Sequence, residues 1–230
     1  MIASKLFTMT ALKTDKLLVY DLERIEYSAA LRIQQEYFDE RIFQKLRSGG
    51  NKLHDVVLLC EHEPVFTLGK NGNEKHLLSA EGATYFRTNR GGDITYHGPG
   101  QLTVYPIIDL ERKRISVARY VYLLEETIIE LLRKYDLPGE RVEGATGVWL
   151  DAGTTNERKI CAIGIKASRH ITMHGLAFNV FTDLRYFNQI IPCGIAEKGV
   201  TSLSVELGNN IRLDAVKHEW LKIFRKCFLY

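Results

Sequence analysis

An α+β domain, a mixed β-sheet flanked by helices, is the fold this 230-residue sequence predicts. Three observations predict it. Short, nearly continuous apolar runs of strand length recur along the chain. Longer stretches carry apolar residues at helical spacing. The two kinds are interspersed without a regular strand–helix–strand rhythm, which favours a mixed sheet over a doubly wound parallel one.

In order, residues 16–21 (KLLVYD) read as a strand entering a long helix. Leu31, Phe38, Ile42 and Leu46 keep helical spacing on it, and Gly49 and Gly50 end it. The run 56–60 (VVLLC) is a buried strand. A second helix starts at Ser116 as N-cap, buries Val117, Tyr120, Leu124, Ile128, Leu131 and Tyr135, and closes at Leu137, Pro138 and Gly139. Strands over 147–150 and 159–166 flank a polar turn, and another covers 174–181. A C-terminal helix aligns Leu213, Val216, Trp220, Ile223 and Cys227, and is expected to pack as a small subdomain. Residues 1–15 read as a flexible N-terminal extension, lacking the arginines and amphipathic face of a targeting peptide. Residues 16–230 then form one domain, without repeat or linker.

Composition narrows the function. With 31 basic and 28 acidic residues the net charge is +3, too balanced for a nucleic-acid or membrane surface. Hydrophobic content of 45% supports a substantial core, and no apolar run reaches the roughly 20 residues of a membrane span. Cys60, Cys161, Cys193 and Cys227 form no CxxC pair, which points to a reducing cytoplasm and away from disulfides or zinc. His97, His174, Cys161 and Cys193 have no metal-ligand spacing, so no metal is expected.

Two features carry chemistry. The first is the stretch 90–101, RGGDITYHGPGQ, with four glycines and a proline ahead of an apolar strand. Such glycines let backbone approach backbone or a ligand, and the same composition also suits a tight surface turn. It matches neither dinucleotide nor phosphate-loop spacing. The second is Cys193, between Pro192 and Gly194 on a stiff bend that suits a nucleophile. Its thiolate would need a neighbouring cation or base, and Lys159, Lys166, Arg169, His170 and His174 are the candidates. Strand alternation puts Lys159 with Cys161, Ile163 and Ile165 on one face, and Lys166 with Ile160, Ala162 and Gly164 on the other. Alternation alone does not choose between them.

The residues then fit a pattern. RGGDITYHGPGQL (90–102) resembles the signature of the lipoyl(octanoyl) transferases, and EHEPVFTLG (61–69) resembles a second family motif upstream. RKICAIGI (158–165), HGLAFNV (174–180), IPCGI (191–195) and GVTSL (199–203) follow in the family's order. The resemblance implies the fold of the biotin and lipoate protein ligase catalytic domain. It implies transfer of an octanoyl group from acyl carrier protein to a lysine of a lipoyl domain, those of 2-oxoacid dehydrogenases and the glycine cleavage H protein being the acceptors. The implied nucleophile is Cys193 and its partner Lys159. The implied acyl-binding residues are Arg90, Gly91, Gly92, Asp93, Ile94, Thr95, Tyr96 and His97, then Ala162, Ile163 and Gly164, then Gly175, Leu176 and Ala177. No cofactor, nucleic acid or membrane is implied, and a cytoplasmic monomer is expected. Asp93 and Phe178 depart from the usual pattern, and Phe178 is expected to bear on the acyl pocket.

Three rivals differ in chemistry. An ATP-dependent lipoate or biotin ligase of the same fold would form an acyl-adenylate and need no cysteine. A non-catalytic acyl binder would have no use for Lys159 and Cys193. A cysteine hydrolase would let water intercept the acyl-enzyme.

Overall fold

Val56, Leu58 and Cys60 alternate with Val57 and Leu59 along β3 (Asp55–His62), and the two sets are buried in different hydrophobic clusters. A strand covered on both faces reads as continuous apolar sequence, as this one does. The computed structural model describes residues 12–14, 17–48, 53–191, 199–208 and 211–229. The expected helix stop at Gly49 and Gly50, the strand's first residue Lys16, most of the extension 1–15, and Cys193 with the rest of 192–198 lie outside the described residues.

Around β3 runs a mixed sheet. On one side β2 (Leu17–Ile25) pairs parallel with it, and β1 (Leu12–Thr14) pairs antiparallel with β2. On the other side come β7 (Gln101–Ile107), β11 (Ile171–Asn179), β10 (Arg158–Ser168), β9 (Ala145–Leu150) and β8 (Glu140–Val142), all antiparallel to their neighbours. The short β12 (Gly199–Val200) adds to β10 in parallel. A second sheet holds β4 (Val65–Leu68) between β5 (Thr84–Arg87) and β6 (Ile94–His97).

The helices cover the large sheet. The parallel pair β2 and β3 needs a crossover, and α1 (Tyr27–Ser48) supplies it, burying Ala30 and Phe38 against Val56, Leu58, Tyr105, Ile107 and Met173. Its buried face also includes Gln34 and Arg41, whereas Leu46 is exposed. These polar groups find partners inside the fold: Gln34 Oε1 accepts from the His174 amide at 3.1 Å, and Arg41 donates to Tyr37 O and His54 O, while Gln34 Nε2 and Arg41 Nε stay buried without one. The opposite face carries α3 (Val117–Arg133), which follows the four-residue α2 (Leu110–Lys113). Ser116 caps α3 as expected, accepting from the Arg119 amide, but Val117 faces solvent; Tyr120, Leu124, Ile128 and Leu131 are buried.

After α4 (Leu203–Leu207), α5 (Leu213–Phe228) packs on α3 within the main core rather than forming a subdomain. Trp220 decides this, fully buried, stacked on Phe224 and donating from Nε1 to Thr127 Oγ1 at 3.0 Å. Trp220→Ala is expected to destabilise the fold by about 3–5 kcal/mol, a drop that urea unfolding would read. Among the described residues no helix is long and apolar enough to cross a membrane.

Candidate active site

Between the two sheets lies a cavity of about 410 Å³. Its floor is the large sheet, where the side chains are small: Ala162 and Gly164 on β10, Gly175 and Ala177 on β11. Register lines them up, with Ala162 opposite Ala177, Ala177 opposite Thr103, and Gly164 opposite Gly175. The cavity has a closed end and an open one. Tyr27, His97, Thr103, Tyr105 and His174 are buried, while Asn71, Gly92, Gly144 and Thr146 reach solvent.

The stretch 90–101 forms the roof, and part of it is a strand rather than a loop. On β6, Tyr96 is buried with Phe66 and Leu68 beyond the cavity and stacks on Tyr186, while Thr95 and His97 line the cavity, as alternation requires. The turn before it sits directly on β10, with the Gly91 amide donating to Ile165 O at 2.8 Å. This explains two glycines. A Cβ at Gly69 would lie 2.2 Å from Gly92 O, and one at Gly164 would lie 2.9 Å from Gly91 O, so both seats exclude a side chain. Of the acyl-binding residues expected from sequence, Gly91 and Tyr96 do not line the cavity; the other six of 90–97, together with 162–164 and 175–177, do. Asp93 lines it while holding His76 Nδ1 and accepting from the Asn73 amide at 3.1 Å. Phe178 is buried on the opposite face, against the α3 and α5 side, and does not line the cavity.

Lys159 lines the cavity near its open end, and it gets there through a bulge. Lys159 pairs with Trp149 and Cys161 with Val148, so β10 takes two steps where β9 takes one. The extra residue resets alternation. Ile160 and Cys161 are therefore both buried under α3, and Lys159 shares the cavity with Ala162 and Gly164. The expected grouping of Lys159 with Cys161 is thus corrected. Lys159 Nζ donates to Thr146 O at 3.2 Å and lies 4.4 Å from the Trp149 ring centroid. Lys166 instead projects over the Phe38 ring of α1.

A polar network that the sequence did not reveal braces this site. Arg90 Nη2 donates to Thr67 O at 2.5 Å and to Thr67 Oγ1 at 3.0 Å. Gln101 Nε2 donates to Tyr96 O and Asn179 Oδ1, so its Oε1 faces His97 Nδ1 at 2.8 Å and that nitrogen carries the proton. His97 Nε2 is then the acceptor for the Thr67 hydroxyl at 3.2 Å. Asn179 Nδ2 continues to Thr201 O, and the Thr201 amide donates to Lys159 O at 3.0 Å.

Burial keeps the histidines and tyrosines of the closed end neutral beside the Arg90 cation. Burial, then His62 and Arg90, hold His97 well below the ordinary histidine range. Burial lowers His62 to about 4, and burial, then Arg90 and Lys166, lower His174 to about 3. Burial raises Tyr27 to about 12 and pushes Tyr105 and the thiols of Cys60 and Cys161 up. Those two cysteines behave as small buried hydrophobes. Among the described residues no group of three His, Cys, Asp or Glu is arranged to hold a metal ion.

Residues 29–225 match the family model described as the lipoyl protein ligase A/B catalytic domain. An octanoyltransferase of Parabacteroides distasonis is 48% identical over 216 residues, which cover 91% of this chain and 97% of that protein. A solved chain of the archaeal lipoylation system of Thermoplasma acidophilum, a bipartite lipoate protein ligase and its E2 lipoyl domain, matches with a TM-score of 0.64 at 17% identity, covering 93% of this chain and 83% of that one. Biotin protein ligase of Aquifex aeolicus, in complex with biotin and ATP, matches with a TM-score of 0.52 at 13% identity over 94% of this chain and 71% of its own. The two structures share the α+β fold with its mixed sheet and flanking helices. On the matched span and the bacterial identity, this chain belongs to the lipoyl protein ligase A/B catalytic domain family.

Proposed function

We propose that this chain is an octanoyltransferase that carries the acyl group from acyl carrier protein to a lysine of a lipoyl domain as a thioester on Cys193. The observation that carries the reading is the cavity: a trough floored by alanine and glycine, closed at one end, with Lys159 near the other. The 48% identity to an octanoyltransferase supports it. Residues 90–97, 162–164 and 175–177 serve it as the acyl-binding set, Gly91 and Tyr96 by supporting the roof rather than by touching substrate.

The chemistry runs in two displacements. Lys159, as a cation, favours the Cys193 thiolate, whose attack on the thioester carbonyl forms a new C–S bond. The tetrahedral intermediate collapses by breaking the bond to pantetheine, whose sulfur takes a proton from Lys159. The acceptor lysine amine then attacks the acyl-enzyme and gives its proton to the neutral Lys159. An amide forms, and the Cys193 thiolate and Lys159 ammonium are restored. One contact supports this partnership: Val200, which follows 192–198 closely, pairs with Lys159.

Incubation with octanoyl carrier protein and no ATP, followed by intact-mass analysis, tests this reading. One octanoyl adduct is expected, absent from Cys193→Ser and discharged by a lipoyl domain. An adduct that persists in Cys193→Ser, or transfer that requires ATP, overturns it.

A further inference from the structure

We infer that Tyr105 is the end wall that sets how long an acyl chain this site accepts, an inference that rests on the octanoyl-transfer reading. The trough runs across the strands. From Ala162 on β10 it passes Ala177 on β11 to Thr103 on β7, with Tyr105 two residues further along the same face of β7. Along this line Ala162, Ala177 and Thr103 are small, and Tyr105 is the next cavity-lining residue on β7; His174 of β11 lines the cavity beside it. The lengths agree. Two strand spacings from β10 to β7 span about 10 Å. The seven C–C bonds of an extended octanoyl chain, each about 1.5 Å, project about 9 Å. With the thioester carbonyl above Ala162 on β10, the terminal methyl meets β7.

Tyr105 is held in place from behind. Its hydroxyl donates to His62 Nε2 at 2.6 Å, and His62 Nδ1 donates to Ile25 O at 2.9 Å. His62 is itself fully buried and packed edge-on against Tyr27. The hydroxyl is thereby turned away from the trough, and the ring remains as an apolar stop. A longer chain would have to displace a side chain locked by two hydrogen bonds in series.

The test is the ratio of kcat/KM values for hexanoyl, octanoyl and dodecanoyl carrier protein in the native enzyme, Tyr105→Leu and Tyr105→Trp. The smaller residue is expected to raise the dodecanoyl-to-octanoyl ratio at least about tenfold, and the larger one to raise the hexanoyl-to-octanoyl ratio comparably. A merely structural role would depress all three donors alike, and either variant decides alone should the other fail to fold. Ratios within about threefold of native in a folded variant overturn the inference. Absence of transfer from every donor in the native enzyme would instead overturn the octanoyl-transfer reading.

Discussion

Lys159→Ala is expected to lower kcat by about 10²–10⁴-fold while leaving the protein folded. The size follows from the double use proposed for it, as the acid that releases pantetheine and as the base that accepts the proton of the incoming amine. The stability cost is small, because Lys159 is only partly buried and its side-chain contacts include a hydrogen bond to Thr146 O and the Trp149 face, both near the open end of the cavity. An exposed cation–π contact contributes about 0.5–1 kcal/mol. Lys159→Arg separates the two uses. A guanidinium keeps the charge that favours a thiolate but does not give up its proton at neutral pH. Acyl-enzyme formation should therefore recover more than amide formation does. Rapid-quench measurement of both steps, beside a thermal melt, checks this. A kcat within about tenfold of native in Lys159→Ala would remove Lys159 from the mechanism.

The family resemblance pointed to this lysine, but strand alternation mistook its face. Alternation assumes an unbroken strand, and a single extra residue at Ile160 reverses the direction of everything before it. Nothing in RKICAIGI marks that bulge, since it arises from pairing with β9. The same limit hid the closed end of the cavity. Tyr27 and Tyr105 read as ordinary core residues and become its wall, with His62 behind them, only when α1, β3 and β7 meet. The inner face of α1 was misread because Gln34 and Arg41 look like solvent residues. Their partners, the His174 amide and His54 O, are remote in sequence. What local sequence did carry was dense steric or capping information. Ser116 capped its helix, and the glycines at 91 and 92 seat a turn that requires Gly69 and Gly164 beneath it.

Acid should unfold this protein unusually early. His62, His97 and His174 are buried and neutral, with His62 lowered to about 4, His174 to about 3 and His97 well below its ordinary value, burial being the largest cause in each. They also face cations or one another: Arg90 and Lys166 act on His174, while His62 and Arg90 act on His97. In the unfolded chain each regains a pKa near 6.5. Below that pH the unfolded state binds protons the folded state refuses, so stability is complete above about 6.5 and falls as pH drops toward 4. At pH 5 His62 and His174 each forfeit on the order of 2 kcal/mol, and His97 acts in the same direction, a large share of the stability of a typical domain. Carboxylates such as Glu206, held below the ordinary range by Arg158, titrate beneath this window. Urea midpoints measured at pH 8, 6.5 and 5 are expected to fall steeply over the last interval. His174→Asn should make that fall shallower, because asparagine tolerates the φ of 60° at this position and carries no titrating ring. A midpoint unchanged between pH 8 and 5, or a slope unaltered in His174→Asn, would show that these rings are not the proton-linked groups.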